Sequence, residues 1–190
     1  MNICLLSGGN INKFRSKKLW VFTALIEEHL EYVLSLISTL ENTVANYKKE
    51  NSRYEIDNIQ SDIETEILNY PPENIFKTAV FITSLKNIYK SANEIKSYIK
   101  YAGKYPPIGF DFFEIASRIS SIVKTEIDGF FTGDTDITLE TKIAETERLT
   151  NQAFKQLIKI NSKEQSGNGR IVYYSCILAE MKAMLGNFKI

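Results

Sequence analysis

The chain has 190 residues, of which 44% are hydrophobic, and it carries 23 basic and 23 acidic side chains. This composition fits one globular domain with a core of ordinary size and excludes a disordered chain. Because the formal net charge is zero, no global field draws the chain to nucleic acid or to an anionic membrane, and any binding role depends on local patches.

Residues 1–18 combine a short apolar run, a glycine pair and four basic residues without a sustained period, which predicts a flexible leader. The segment lacks the basic start and long apolar core of a secretory signal, and no run in the chain reaches the length of a membrane span. The two cysteines, Cys4 and Cys176, form neither a CxxC motif nor a Cys/His cluster. We therefore expect a soluble, cytoplasmic protein that reaches a membrane only through a partner or a fused transporter.

Three amphipathic helices are predicted in residues 19–101. The first carries an apolar stripe from Leu19 to Tyr47, and the second carries one from Ile56 to Ile67. The third begins at the Pro71-Pro72 pair and ends at Gly103, before a second Pro-Pro pair. Its apolar positions recur every three or four residues: Phe76, Ala79, Ile82, Leu85, Ile88, Ala92, Ile95 and Ile99.

Residues 108–190 repeat this scheme. Apolar stripes predict helices over 112–130, 143–160 and 171–188, and Asp134 or Asp136 can cap the second of them. No alternating apolar and polar pattern is long enough to predict a β-strand. Six helices in two sets of three indicate an all-α domain over residues 19–190 that arose by internal duplication.

The third predicted helix resembles a known family. ILNYPPENIFKTAVFITSLKNIYKSANEI is similar to the segment of PhoU proteins in which a turn leads into a helix ending in L-E-R-I-G-D-x-A-x-N-I. Four residues match the apolar frame of that pattern: Leu85, Ile88, Ala92 and Ile95.

The second half contains a matching counterpart. GDTDITLETKIAETERLTNQAF resembles the PhoU run in which an aspartate precedes a helix with repeated acidic positions, and YYSCILAEMKAMLGNF lies where the second motif copy belongs. The residues in frame are Leu178, Met181, Leu185 and Asn187. The resemblance covers residues 19–190 and depends more on the order and spacing of six helices than on identities.

The resemblance implies two tandem antiparallel three-helix bundles, over residues 19–101 and 108–190. It implies a non-enzymatic role in phosphate handling, as a free regulator or as the soluble domain of a sodium/phosphate transporter. The expected partner is a component of the transport or sensing machinery, a homodimer is also compatible, and no cofactor is expected. The alternative is a helical homo-oligomeric interaction module unrelated to phosphate, because either role needs only amphipathic helices and a surface patch.

The metal-binding positions of the family are altered in this chain. In PhoU proteins an E-x-x-x-D pair in each motif copy places two carboxylates one helical turn apart, where both can bind cations. Here Lys86 and Lys90 occupy those positions in the first copy, and Ala179 and Ala183 occupy them in the second. Neither an ammonium nor a methyl group can donate an oxygen ligand. We therefore expect elemental analysis to find no stoichiometric iron, zinc or manganese, unless a register shift brings Glu180 into play.

The polar face of the third helix is a candidate contact surface. Lys86, Asn87 and Lys90 can contact an anion or an acidic strip on a partner. The alternative is an ordinary solvated helix face. Three tyrosines near the second Pro-Pro pair are candidates for a partner surface: Tyr98, Tyr101 and Tyr105.

The remaining polar candidates are weaker. His29 is the only histidine and cannot form a ferritin-like di-iron site alone, so we expect a partly buried polar residue. Acidic residues of helices two and five could hold a hard cation or form solvated outer faces: Asp57, Asp62, Glu64, Glu66, Glu140, Glu145 and Glu147. No catalytic residue is predicted, because the chain has no G-x-S-x-G elbow and no recognisable triad or cysteine dyad.

Overall fold

The computed structural model describes residues 17–41, 61–63, 65, 72–102, 112–134, 136–161 and 169–188. All regular secondary structure in this part of the chain is helical, so the predicted all-α class is confirmed. Five long helices are present: α1 (Lys17–Glu41), α2 (Pro72–Ala102), α3 (Phe112–Thr132), α4 (Leu139–Asn161) and α5 (Gly169–Gly186). Residues 61–63 are also helical, within the second predicted helix, and Ile63 is buried.

Some predicted features lie outside the described residues. They are residues 1–16 of the predicted leader, the extension of the first helix to Tyr47, and Asp57, Glu64, Glu66 and Tyr105. Helix α1 begins at Lys17, slightly before the predicted start at Leu19.

The apolar stripes are buried much as the helical period predicts. In α1 the stripe residues Phe22, Ile26, Leu30, Val33 and Ile37 are all buried. In α2 the buried stripe comprises Ile82, Leu85, Ile88, Ala92, Ile95 and Ile99. Phe76 was predicted on the same stripe but is 70% exposed, and Ala79 is exposed as well. At the start of α2 the buried side is marked instead by Thr78, which is 2% exposed, and by Ile75, which packs against the core. A step of three residues falls short of a full turn of 3.6 residues, so the predicted stripe drifts around the helix away from this side.

Side-chain contacts show which helices run parallel to one another. Helix α1 runs parallel to α2, because His29 contacts Tyr89 and, further along both helices, Lys96 lies over the Tyr32 ring. Helix α3 runs parallel to α5, because Phe112 contacts Tyr174 and Ile119 lies beside Met181 around a shared cavity.

The pair α1 and α2 runs antiparallel to the pair α3 and α5. Helix α1 is antiparallel to α3, because Trp20 stacks on Phe131 while Leu34 and Ala116 line the same cavity. Helix α2 packs more extensively with α5 than with any other described helix, and α4 packs against α3 and α5. Buried side chains of all five helices form one contiguous hydrophobic cluster. Both halves of the chain therefore contribute to a single core.

The cavity within this core is small. Its volume is about 20 Å³, and it lies among α1, α2, α3 and α5 with only apolar surface exposed to it. This space is about the size of one water molecule, and an apolar site of that size holds no organic ligand. This space is therefore a packing gap between the helices.

A tight turn joins α3 to α4. Gly133 has φ 82°, a left-handed conformation that favours glycine, and its N–H donates to the carbonyl oxygen of Gly129 at 2.8 Å. A Cβ atom on Gly129 would lie 2.8 Å from the backbone oxygen of Asp134, so this geometry of the turn leaves room only for glycine there. The turn brings the chain back so that α4 packs on α3.

Asp136 organises the start of α4. Its carboxylate accepts hydrogen bonds from the Lys142 ammonium at 2.7 Å, from the Thr138 hydroxyl at 2.7 Å and from the Thr138 N–H at 2.8 Å. These bonds, led by the one from Lys142, lower the pKa of Asp136 from 3.8 to about 2. Of the two predicted capping residues, Asp136 is the one that makes these bonds.

We expect Asp136→Asn to lower the melting temperature at neutral pH by a few degrees, because the amide loses the charge-assisted bond. The folded-state pKa lies below the unfolded value, so the carboxylate stabilises the fold above pH 3.8, and this effect is lost as the pH falls toward about 2. The difference in melting temperature between variant and wild type should therefore shrink over that range. Asp134→Asn is the matched control, because the Asp134 carboxylate makes no hydrogen bond within the described residues. Equal effects of both substitutions would contradict the assignment.

Candidate functional site

The structure brings the two motif copies side by side. The first lies on α2 and the second on α5, and the Asn87 amide donates to the Asn187 side-chain oxygen at 3.1 Å. Asn187 in turn donates to the carbonyl oxygen of Ala183 at 2.9 Å. Tyr101 of α2 stacks on Tyr173 of α5, with ring centroids 5.3 Å apart. Because the residue number rises on α2 as it falls on α5, the two copies are antiparallel.

The four positions that hold carboxylates in the family motif all face solvent. Lys86, Lys90, Ala179 and Ala183 are exposed, and so is Asn87. Neither lysine makes an ion pair with any residue in the part of the chain that the structure describes. Together with exposed Glu94 and Gly186 and half-buried Glu180, these residues form what we call the α2–α5 face: Lys86, Asn87, Lys90, Glu94, Ala179, Glu180, Ala183 and Gly186.

The charges on this face are separated along the bundle. Glu94 lies midway in the sequence between Asn87 and Tyr101. Glu180 lies midway between Asn187 and Tyr173, their partners in the second half, so the two glutamates lie at the same level along the helix pair. Burial raises the pKa of Tyr98, and nearby Cys176, Glu94 and Glu180 raise it further. Both carboxylates therefore lie near the same phenol group. The face has a basic end at the lysines and an acidic region beside Tyr98.

Aromatic residues close the end of the bundle beyond the acidic region. Tyr98 is half-buried and Tyr101 is 43% exposed, while Tyr105 lies outside the described residues. Val172, on the adjoining turn of α5, is 55% exposed. The two described tyrosines predicted from the sequence therefore lie beyond Glu94 on the same helix as Lys86 and Lys90.

A second aromatic cluster lies at the opposite end of the bundle and was not predicted. Trp20 stacks on Phe131 with ring centroids 4.0 Å apart, and Phe81 stacks on Phe130 at 3.9 Å. Each contact joins helices that are far apart in the sequence. No local signal predicts such a cluster, because the two rings of each stacked pair lie on different helices.

His29 is more buried than predicted. Its side chain is 1% exposed, and its ring centroid lies 4.6 Å from that of Tyr89 and 6.4 Å from that of Tyr32. The expectation of partial burial was wrong, because α2 covers this position of α1. The contacts with the two tyrosine rings place His29 inside the core and away from the α2–α5 face.

The acidic positions are dispersed. Asp62 pairs with Lys18 at 3.0 Å, and Glu145 lies 3.5 Å from Arg118. Glu140 is exposed, and Glu147 interacts with another residue of the chain. Within the described ranges no group of three or more His, Cys, Asp or Glu side chains is placed to hold a metal ion. The chemistry that the α2–α5 face can provide is hydrogen bonding and charge pairing.

Comparison of the chain with family models, with curated proteins and with solved structures finds no match. Among the described helices, none has an apolar stretch long enough to cross a membrane.

Proposed function

We propose that this chain is a PhoU-like, non-enzymatic adaptor that regulates phosphate uptake in the cytoplasm. It acts by contacting a component of the phosphate transport or sensing machinery, and it needs no cofactor. Its architecture in this proposal is that of two antiparallel three-helix bundles, residues 19–101 and 108–190, related by duplication.

The observation that carries the proposal is the relation between the two motif-bearing helices. α2 and α5 are antiparallel partners, and so are α1 and α3, the other equivalent pair in the two predicted repeats. Within each repeat the first and last helices run parallel. A two-fold axis between two copies of one unit produces these relations. They support an internal duplication of the kind that the resemblance implies.

The character of the α2–α5 face supports contact over catalysis. Two exposed lysines and two exposed alanines replace the carboxylates of the family motif. Lysine ammonium groups bind carboxylates on a partner surface and cannot act as metal ligands. An adaptor that has lost the metal-binding groups retains a binding surface at the same position.

The proposal is tested by measuring phosphate uptake in cells of the source organism. Deletion of the coding sequence should change the initial rate of labelled phosphate uptake, and wild-type protein should restore it. A Lys86→Ala/Lys90→Ala variant should restore less, whereas Lys155→Ala, an exposed lysine on α4, should restore fully. Uptake that is identical with and without the protein, at limiting and plentiful phosphate alike, would contradict the proposal. That result would favour the alternative, an interaction module unrelated to phosphate.

A further inference from the structure

We propose that the α2–α5 face is a self-association surface, through which two copies of this chain pack face to face in an isologous dimer. The basic end of one copy, Lys86 and Lys90, lies against the acidic region of the other, Glu94 and Glu180. This inference does not depend on the proposed role in phosphate uptake.

The charge pattern makes the face complementary to itself. Lys86, Lys90 and Glu94 follow one another at intervals of four residues, so they lie in a row on one side of α2. Glu180 lies level with Glu94 on the neighbouring helix, which extends the acidic region across both helices. Both lysines are exposed and make no ion pair within the described residues, so their charges are available to a partner.

A two-fold axis can bring the basic end of each copy toward the acidic region of the other. If the axis lies in the plane of the face and crosses it between the Lys90 turn and the Glu94 turn, each basic end meets an acidic region. Because an isologous interface uses the same patch twice, both junctions form together. A second copy of this chain is therefore a partner whose charges match this face, and like-charge approach in other orientations is disfavoured.

The outer surface of α5 permits close approach. Ala179, Ala183 and Gly186 lie on its exposed side, and the space into which a Cβ atom on Gly186 would point is open. Helices that pack through small side chains approach at the short end of the usual 8–10 Å range. Long side chains at these three positions would hold the second copy away.

Exposed apolar groups lie beside the acidic region. Tyr101 and Val172 are 43% and 55% exposed and adjoin it at the end of the bundle. Tyrosine is enriched at interfaces because its ring supplies contact area at a low entropy cost. A face-to-face dimer covers these groups, and their burial supplements the charge pairs, since exposed pairs alone contribute little.

The test is the oligomeric state measured by sedimentation velocity. Wild-type chain should sediment as a dimer at about 0.1 mM, a concentration at which a micromolar dissociation constant gives nearly complete association. Lys86→Glu/Lys90→Glu makes the whole face acidic and should raise the dissociation constant at least about tenfold. Glu94→Lys/Glu180→Lys makes the face basic and should have the same effect. Lys155→Glu is the matched control and should leave the dimer intact, because Lys155 is exposed on α4.

Mixing the two charge-reversed variants provides the decisive measurement. In the mixture the all-acidic face of one variant meets the all-basic face of the other, so the heterodimer should have a lower dissociation constant than the homodimer of either variant. Far-UV circular dichroism checks that each variant keeps its helical content. If Glu180→Lys disturbs the fold because Glu180 is half-buried, exposed Glu94→Lys alone replaces that variant. A monomeric wild-type chain, dimers unaffected by the reversals, or failure of the mixture to associate would each overturn the proposal.

Discussion

Phe112→Ala should lower the free energy of unfolding by about 3–5 kcal/mol. The Phe112 side chain is 1% exposed, and its ring lies 5.1 Å from that of Tyr174, the largest of the fully buried side chains. Removing the ring takes away buried apolar area and leaves a cavity where α3 meets α5, which the surrounding helices fill only in part. Urea denaturation followed by circular dichroism measures the change.

The neighbouring residue provides a matched control. Phe113 has the same side chain on the next position of α3, but it is 41% exposed. Phe113→Ala should therefore change the free energy of unfolding by only about 1 kcal/mol or less. Equal losses from both substitutions would show that Phe112 does not occupy the buried position between α3 and α5.

Leu85→Ala and Leu178→Ala should each lower the free energy of unfolding by about 2–5 kcal/mol. The two leucines occupy equivalent positions in the two segments that resemble the PhoU motif, and they are 1% and 0% exposed. Both belong to the single hydrophobic cluster that joins the five helices. Loss of either side chain should therefore destabilise the whole bundle. Lys86→Ala, at the exposed position next to Leu85, should have an effect within about 0.5 kcal/mol.

The number of transitions shows whether the two halves unfold together. Because one core includes both halves, each leucine variant should unfold in a single transition, with the same midpoint by circular dichroism and by fluorescence. The only tryptophan, Trp20, suits the fluorescence measurement, because it stacks on Phe131 where α1 meets α3. Two separated transitions, one altered by Leu85→Ala and the other by Leu178→Ala, would contradict a single core.

The sequence predicted the buried side of α2 correctly from Ile82 onward but not at the start of the helix. The stripe from Ile82 to Ile99 is buried because a period of three to four residues keeps one side of a helix toward its neighbours. Phe76 was reached by further steps of three residues, each of which drifts about 60° around the helix, and it is 70% exposed whereas Thr78 is 2% exposed. Threonine gives no apolar signal, so only the packing of the neighbouring helices shows that Thr78 lies on the buried side.

The candidate site was also predicted only in part from the sequence. The sequence predicted that Lys86 and Lys90 lie on a polar helix face, because charged side chains avoid the buried stripe. It gave no indication that Glu180 would lie beside Glu94, since the two residues belong to different helices in different halves of the chain.

By itself, the sequence determined that this is an all-α protein and, except at the start of α2, which side of the described helices is buried, because both follow from local periodicity and from turn and capping residues. Only the tertiary structure decided that α2 pairs with α5, which places Asn87 against Asn187 and Tyr101 against Tyr173. The physical reason is that an amphipathic helix can bury its stripe against many partners. The choice among them depends on the simultaneous packing of all the helices in one core, a property that no single segment contains.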